Sequence, residues 1–189
     1  MENNSSLKMS KEERESLPDF LAAAEGAKGD ALNVSVVKNA NSGLTVGPIQ
    51  MDVSKNPLLA KNILAVGEAS GLAKQYGITA DLLAKDHKAL QAAGKIADVE
   101  AFAAAVLKTK EGGEALENAQ QKQIEFVANT TDKVCAGSIP DAAAVCGTPS
   151  GRRRIAAYIH QNQPPFDELE GYFAGKKVTI GRRDKNDPG

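Results

Sequence analysis

Hydrophobic residues follow two different spacings along the chain, one typical of strands and the other of helices. Residues 32–52 are rich in valine and alternate apolar with small or polar residues, which indicates short strands. Turn-forming residues at 39–43 interrupt this segment, so we expect a small β-hairpin or a short irregular sheet. From Asn56 onwards the apolar positions recur at helical spacing. The pattern predicts an α+β fold that is predominantly α.

Capping residues, proline and glycine mark the helix ends. In the first helix, Ser16 is followed three residues later by Asp19, with Pro18 near the start, and we expect this helix to end at Gly26. The same signals predict further helices near 57–66, 68–76, 80–93, 98–110, 113–135, 151–162 and 166–174, and an extended segment at 176–180.

Length and composition favour one domain. The chain has 189 residues, of which 42% are hydrophobic, and this is enough for a single core. Alanine is abundant and tryptophan is absent, which favours helices packed through small side chains. Both ends are polar and unpatterned. We therefore predict flexible tails at 1–9 and 181–189 around a single domain at 10–180.

Charge and hydropathy exclude two classes of partner. The net charge is −1, without the basic excess of a nucleic-acid-binding protein, so we expect no nucleic-acid partner. No apolar run approaches the roughly 18 residues that a membrane span needs. The first ten residues are polar and do not resemble a secretory signal peptide. Any export is therefore expected to use a dedicated machine.

Cysteine, histidine and arginine positions limit the remaining chemistry. Cys135 and Cys146 are eleven positions apart, which fits a disulfide in an oxidising compartment or two buried thiols in a reducing one. His87 and His160 have no partner at metal-ligand spacing, so we expect no metal and no other cofactor. The basic run 152–154 predicts a solvated face, with contact to an anionic polymer or an acidic partner as the alternative.

Glu25 is the first candidate catalytic residue. It follows the apolar run 20–24 and precedes Gly26, so its side chain emerges from buried surface where the helix ends. Glycosidic cleavage requires a general acid, and a carboxyl group partly removed from water is suited to that role. The alternative is an ordinary solvated glutamate in the last helical turn.

A short segment downstream carries a resemblance to known families. Gly47-Pro-Ile-Gln50-Met-Asp52 looks like the Gly-Leu-Met-Gln-like turn of goose-type lysozymes and lytic transglycosylases, although Pro and Ile replace the usual Leu and Met. Those families carry this turn some two dozen residues after a catalytic glutamate at a helix end, and Glu25 lies at nearly that distance. The resemblance, over roughly residues 17–60, implies a lysozyme-like fold with a small β-hairpin after the catalytic helix.

The resemblance also implies roles for individual residues. Glu25 is the general acid, and Asp52, ahead of Asp30, is the second carboxylate that positions or activates the nucleophile. Gln50 and Gly47 are implied as substrate-binding residues, together with Asp30. Tyr158 joins them because those families have an Ala-Tyr-Asn motif on a later helix, of which this chain keeps Ala and Tyr at 157–158.

A related pattern brings in Thr45. Phage-type lysozymes and pesticin-like toxins use Glu, Asp and Thr together, with the Thr inside a Gly-x-Thr-x-Gly turn. The segment Gly43-Leu-Thr45-Val-Gly47 resembles that turn. The likeness implies that Thr45 belongs to the catalytic set beside Asp52.

The implied activity is that of a peptidoglycan-degrading muramidase, which cleaves the β-1,4 bond between N-acetylmuramic acid and N-acetylglucosamine. Such an enzyme acts in the periplasm or cell wall, as a phage lysin released by lysis or as an antibacterial effector delivered by a secretion system. An effector of this kind implies a cognate immunity protein that occupies the cleft. The alternatives are a lytic transglycosylase, a chitosanase-like glycosidase and a non-enzymatic helical interaction domain.

Overall fold

Helices predominate, and the strands form one three-stranded antiparallel sheet in the order β1-β2-β3. This confirms the predicted α+β, predominantly α class. The computed structural model describes residues 7–26, 32–38, 41–136 and 144–162. The predicted elements at 166–174 and 176–180, the tail at 181–189 and Asp30 lie outside the described residues.

In chain order, the helices and strands are α1 (Lys11–Ala24), β1 (Ser35–Val36), β2 (Leu44–Val46), β3 (Met51–Asp52), α2 (Pro57–Ala69), α3 (Leu72–Tyr76), α4 (Ala80–Leu83), α5 (His87–Ala92), α6 (Ile96–Leu107), α7 (Lys110–Cys135) and α8 (Pro149–Asn162). A short 3-10 turn, Val53–Lys55, connects β3 to α2.

The first helix begins earlier than predicted. The backbone N–H of Ser10 donates to the Glu13 carboxylate (2.9 Å), and the Ser10 hydroxyl oxygen accepts from the backbone N–H of Glu13 (3.2 Å). This reciprocal arrangement is a capping box, and it starts the helix at Lys11. The predicted start at Ser16 is wrong, and Pro18 lies inside the helix instead of in its first turn.

The predicted helix at 80–93 is also wrong, since it is divided into α4 and α5. The Asp86 carboxylate accepts from the backbone N–H of Ala89 (2.9 Å), so a new helix begins immediately after Asp86. The prediction extended the helical spacing of apolar residues past Asp86 and missed this cap. The next helix, α6, begins at Ile96, close to its predicted start.

The chain divides into two compact units. One unit comprises residues 25–122 and contains the sheet, α2 to α6 and the first part of α7. The other comprises residues 1–24 and 123–189, and its described helices are α1, the second part of α7 and α8.

The core of the 25–122 unit lies between the sheet and its helices. Phe102 of α6 is completely buried, and its ring meets the ring of Tyr76 edge-on, with 6.5 Å between centroids. The carboxylate of Glu100, also on α6, accepts from the backbone N–H of Val36 in β1 (2.7 Å). This bond attaches the outer strand of the sheet to the helix beside it.

A disulfide joins Cys135 at the end of α7 to Cys146 ahead of α8 in the other unit, with 5.4 Å between the Cα atoms. The sequence left the state of these cysteines open. Closing a loop of eleven positions stabilises the folded state by about 3 kcal/mol through the restricted unfolded chain. A structural disulfide is typical of proteins that reside in an oxidising compartment.

A buried ion pair connects α1 to α8 in the same unit. The Arg152 guanidinium donates to both carboxylate oxygens of Glu13 (2.8 and 2.9 Å), and it also donates to the carbonyl of Cys146 (2.6 Å). Each of the two charged residues is only 6% exposed. The ion pair therefore holds two helices and one end of the disulfide together.

The predicted solvated face at 152–154 is wrong for Arg152 and also for Arg153. Arg153 donates to the Ser16 hydroxyl (3.0 Å), and its guanidinium lies over the Phe20 ring, 5.8 Å from the centroid. Arg154 alone in this run is exposed. The arginines therefore serve mainly to pack α8 against α1.

The second part of α7 is attached to the start of the chain. Asp132 accepts from the backbone N–H of Met9 (2.8 Å) and pairs with Arg14. Met9, the last residue of the predicted tail at 1–9, is buried. Among the described residues, no helix has both the length and the apolar character needed to cross a bilayer.

Candidate active site

Most of the candidate residues lie in or beside the small sheet. Thr45 is the middle residue of β2, Asp52 ends β3, and Gln50 lies in the turn between these strands. Glu25 belongs to the same compact unit, and Tyr158 of α8 belongs to the other.

A polar row crosses the three strands on one face of the sheet. Ser35 in β1 pairs with Thr45 in β2, and Thr45 pairs with Asp52 in β3. Directly opposed residues of antiparallel strands present their side chains on the same face. We call Ser35, Thr45 and Asp52 the polar row. They place two hydroxyl groups and one carboxylate side by side on this face of the sheet.

The opposite face of the sheet is apolar. Its cross-strand pairs are Val36 with Leu44 and Val46 with Met51. All four side chains are buried. A register shift by one residue would exchange the two faces, so burial of the apolar pairs fixes the polar row in its position.

The Thr45 hydroxyl is at the centre of a hydrogen-bond cluster. It lies within donor reach of the Ser35 carbonyl (3.0 Å) and of the Gln50 side-chain oxygen (3.1 Å). The Ser35 hydroxyl lies 3.1 Å from the Thr45 hydroxyl. Thr45 is 4% exposed, because these neighbours surround it.

Gln50 is held over Thr45 by an unusual backbone conformation. Its φ is +51°, and its backbone N–H donates to the carbonyl of Gly47 (3.0 Å), which closes the turn between β2 and β3. Non-glycine residues adopt this left-handed region infrequently. The turn therefore directs the Gln50 amide back to the polar row.

Asp52 has a capping role in addition to its place in the polar row. One of its carboxylate oxygens accepts from the backbone N–H of Ser54 (2.9 Å) and from the Ser54 hydroxyl (2.6 Å), which starts the 3-10 turn. Asp52 does not cap α2, whose first turn is capped by Asn56 (3.0 Å to the N–H of Leu59). The two bonds to Ser54 fix the carboxylate at the end of β3.

Gly43 and Gly47 both lie close to other protein atoms within this unit, Gly43 against backbone and Gly47 against a flexible side chain. A Cβ atom on Gly43 would come within 2.4 Å of the Lys85 carbonyl oxygen. A Cβ atom on Gly47 would come within 2.1 Å of the Gln120 side-chain nitrogen. Each glycine thus approaches protein atoms, a role that the sequence did not indicate. Substrate binding at Gly47 stays a prediction.

Gly47→Ala is expected to destabilise the chain by more than Gly94→Ala. Both glycines have a positive φ (+79° and +64°), but Gly94 has open space around it, whereas Gly47 faces Gln120. Backbone strain alone costs about 1 kcal/mol. The nearest atom is the end of the flexible Gln120 side chain, which can turn away, so the contact should add only about 1 kcal/mol, measured by chemical denaturation. Equal losses in the two variants would contradict this packing role, and Gln120→Ala should relieve part of the loss at Gly47.

Glu25 lies immediately beyond the last residue of α1, Ala24, and is half-buried. Gly26 follows with a φ of +70°, which ends the helix as the sequence predicts. The half-buried position agrees with a side chain that leaves apolar surface at a helix end. The catalytic role of Glu25 stays a prediction.

Tyr158, the candidate on α8, lies in the unit formed by residues 1–24 and 123–189. Tyr158 is half-buried, and His160 is buried, with 7% of its surface exposed. Across the described ranges, no group of three or more His, Cys, Asp or Glu side chains is placed to hold a metal ion.

Sequence reasoning missed Ser35. The signal was available, because Ser35 is the polar residue between Val34 and Val36 in an alternating segment. Alternation places the Ser35 side chain on one face of the sheet and the Val36 side chain on the other. The residue that Ser35 faces on the neighbouring strand depends on the register, which the sequence leaves open.

Comparisons of the chain with protein-family models, curated proteins and solved structures found no match. The case for a function therefore rests on the residues of the polar row and on Glu25.

Proposed function

We propose that this protein is a peptidoglycan-degrading muramidase of the lysozyme-like type, with Glu25 as general acid and Asp52 and Thr45 positioning the nucleophile. The observation that carries the proposal is the polar row, in which Thr45 and Asp52 are direct neighbours across β2 and β3. A carboxylate beside a hydroxyl on a fixed sheet is a suitable pair for orienting one water molecule.

In the proposed reaction, Glu25 donates its proton to the glycosidic oxygen as the bond from that oxygen to the anomeric carbon breaks. Water forms the new bond to the anomeric carbon, and its proton goes to Asp52. The products are two shorter glycans, one of them with a new reducing end. Solvent then returns a proton to Glu25 and removes one from Asp52.

Positioning supports this division of roles. Asp52 is held by Ser54 through one carboxylate oxygen, and Thr45 is held by its neighbours in the sheet. Groups held by the backbone in this way lose little freedom when the reaction occurs. The amide of Gln50 has both a donor and an acceptor, which suits it to bind a hydroxyl or acetamido group of the sugar.

The disulfide supports an extracytoplasmic site of action, because such bonds persist in the periplasm and outside the cell. Delivery by a secretion system or release by lysis, and a cognate immunity protein that occupies the site, remain parts of the proposal.

The proposal is tested by incubating the protein with purified peptidoglycan and analysing the soluble fragments by mass spectrometry. Fragments with reducing ends are expected, and anhydro ends would instead assign a lytic transglycosylase. Release of fragments from chitosan but not from peptidoglycan would assign the chitosanase alternative. No fragments from either polymer would reject the proposal.

Thr45→Val is expected to lower kcat for fragment release about 100-fold, because valine keeps the shape of threonine but removes the hydroxyl that orients water. The matched control is Thr131→Val, which removes a completely buried hydroxyl bonded to the Val127 carbonyl of its own helix. The control should retain activity. Equal rates for wild type and Thr45→Val would remove Thr45 from the catalytic set.

A further inference from the structure

Ser35 lies beside the proposed catalytic threonine and contacts it through two different atoms. Its carbonyl oxygen is 3.0 Å from the Thr45 hydroxyl, and its own hydroxyl is 3.1 Å from the same atom. These contacts follow from the direct pairing of the two residues in β1 and β2. From this geometry we infer that Ser35 is a positioning residue that sets the hydrogen-bond orientation of Thr45. The inference rests on the proposed function.

The number of hydrogen bonds available to Thr45 makes this role specific. A threonine hydroxyl has one hydrogen to donate and two lone pairs to accept. When the Thr45 hydrogen points to the Ser35 carbonyl, the Ser35 hydroxyl can donate to one lone pair of Thr45. One lone pair is left, and it can only accept.

The remaining lone pair of Thr45 is able to accept from a water molecule. The Gln50 side chain is the third neighbour of the Thr45 hydroxyl, at 3.1 Å, and it competes with the Ser35 carbonyl for the single hydrogen. Gln50 reaches Thr45 through a rotatable side chain, whereas the Ser35 carbonyl is fixed by the strand. When water replaces the amide, the Thr45 hydrogen turns to Ser35, and the free lone pair accepts from water.

This arrangement orients the water for attack. One water hydrogen points to Thr45 and the other to the Asp52 carboxylate, which is the next residue in the polar row. The water lone pairs are then directed away from the sheet. Without the Ser35 hydroxyl, Thr45 has two free lone pairs, and the water is held in more than one orientation.

The attachment of β1 supports the same role. Glu100 accepts from the backbone N–H of Val36, the residue after Ser35, at 2.7 Å. The outer strand is therefore held from both sides, by β2 through its pairing and by α6 through this bond. Ser35 is placed against Thr45 by a backbone that is itself fixed.

The test compares Ser35→Ala, Ser35→Thr, Thr45→Val and the double variant Ser35→Ala/Thr45→Val in the peptidoglycan assay. Ser35→Ala should lower kcat about fivefold with KM unchanged, which corresponds to the loss of one hydrogen bond. Ser35→Thr keeps the hydroxyl and should stay within about twofold of wild type. In the double variant, Ser35→Ala should cause no further loss beyond that of Thr45→Val.

Melting temperatures of all variants are measured alongside, so that a folding defect is recognised. An active wild type with an unchanged Ser35→Ala rate would overturn the positioning role. The same conclusion follows if Ser35→Ala lowers the rate equally in the wild-type and Thr45→Val backgrounds, because Ser35 would then act independently of Thr45. A wild type that releases no fragments would instead reject the proposed function, and the Ser35 role with it.

Discussion

Glu25→Gln is expected to lower kcat for glycan release about 1000-fold, a larger loss than that expected for Thr45→Val. Glutamine has nearly the size of glutamic acid, but its amide cannot deliver a proton to the glycosidic oxygen. The departing sugar would then leave as an alkoxide, which is a poor leaving group. Substrate binding uses other residues, so KM should change little.

The matched control is Glu68→Gln, an exposed glutamate on α2 in the same compact unit. It makes the same change of charge at a position outside the proposed site. Its rate should equal that of wild type within about twofold. Equal activity of Glu25→Gln and wild type would remove Glu25 from the reaction, and the glycosidic oxygen would then need a different proton donor.

The second large effect is on stability. Glu13→Gln is expected to lower the free energy of unfolding by about 3–5 kcal/mol, because it leaves the Arg152 guanidinium buried without its opposite charge. The measurement is chemical denaturation followed by circular dichroism. The control is Glu15→Gln on the same helix, where the carboxylate is 65% exposed and forms a surface pair with Lys11. That change should cost less than about 1 kcal/mol.

Lowering the pH should weaken the ion pair between Glu13 and Arg152. Burial raises the pKa of Glu13, but the hydrogen bonds from Arg152 and from the Ser10 backbone outweigh it, and the pKa is lowered from 4.5. The unfolded chain therefore binds this proton more readily than the folded chain does. The stabilisation is complete above pH 4.5 and is lost as the pH falls through the lower folded pKa. Glu13→Gln should remove this part of the acid sensitivity, and an unchanged pH dependence would contradict it.

The β segment shows what the alternation of apolar and polar residues can and cannot predict. Valine and small residues predicted strands in 32–52, and three strands lie there. Thr45, Gln50 and Asp52 lie close together because they belong to one tight turn and its two strands. Ser35 could not be assigned to Thr45 from the sequence, since the partner of β1 is decided by register and by contacts with α6.

Helix starts were less predictable where two capping signals compete. Ser10 with Glu13 and Ser16 with Asp19 have the same spacing, and only the first starts a helix. Arg152 binds Glu13 from a distant part of the chain and so favours the first of these two starts. An interaction between residues so far apart in the sequence cannot be recognised from a short segment of it.

The same limit applies to the arginine run. Three consecutive arginines are solvated in most proteins. Here Arg152 binds the buried Glu13 on α1, and Arg153 lies over the ring of Phe20. The roles of Tyr158 and Glu25 stay predictions.

The pair Cys135–Cys146 has a practical consequence for producing this protein. The chain has two cysteines, so only one disulfide within a single molecule is possible, and no wrongly paired isomer exists. Oxidative refolding at high dilution should need no disulfide isomerase, whereas concentrated samples will also form covalent dimers. A preparation made in a reducing cytosol should therefore be oxidised while dilute, before any assay is performed.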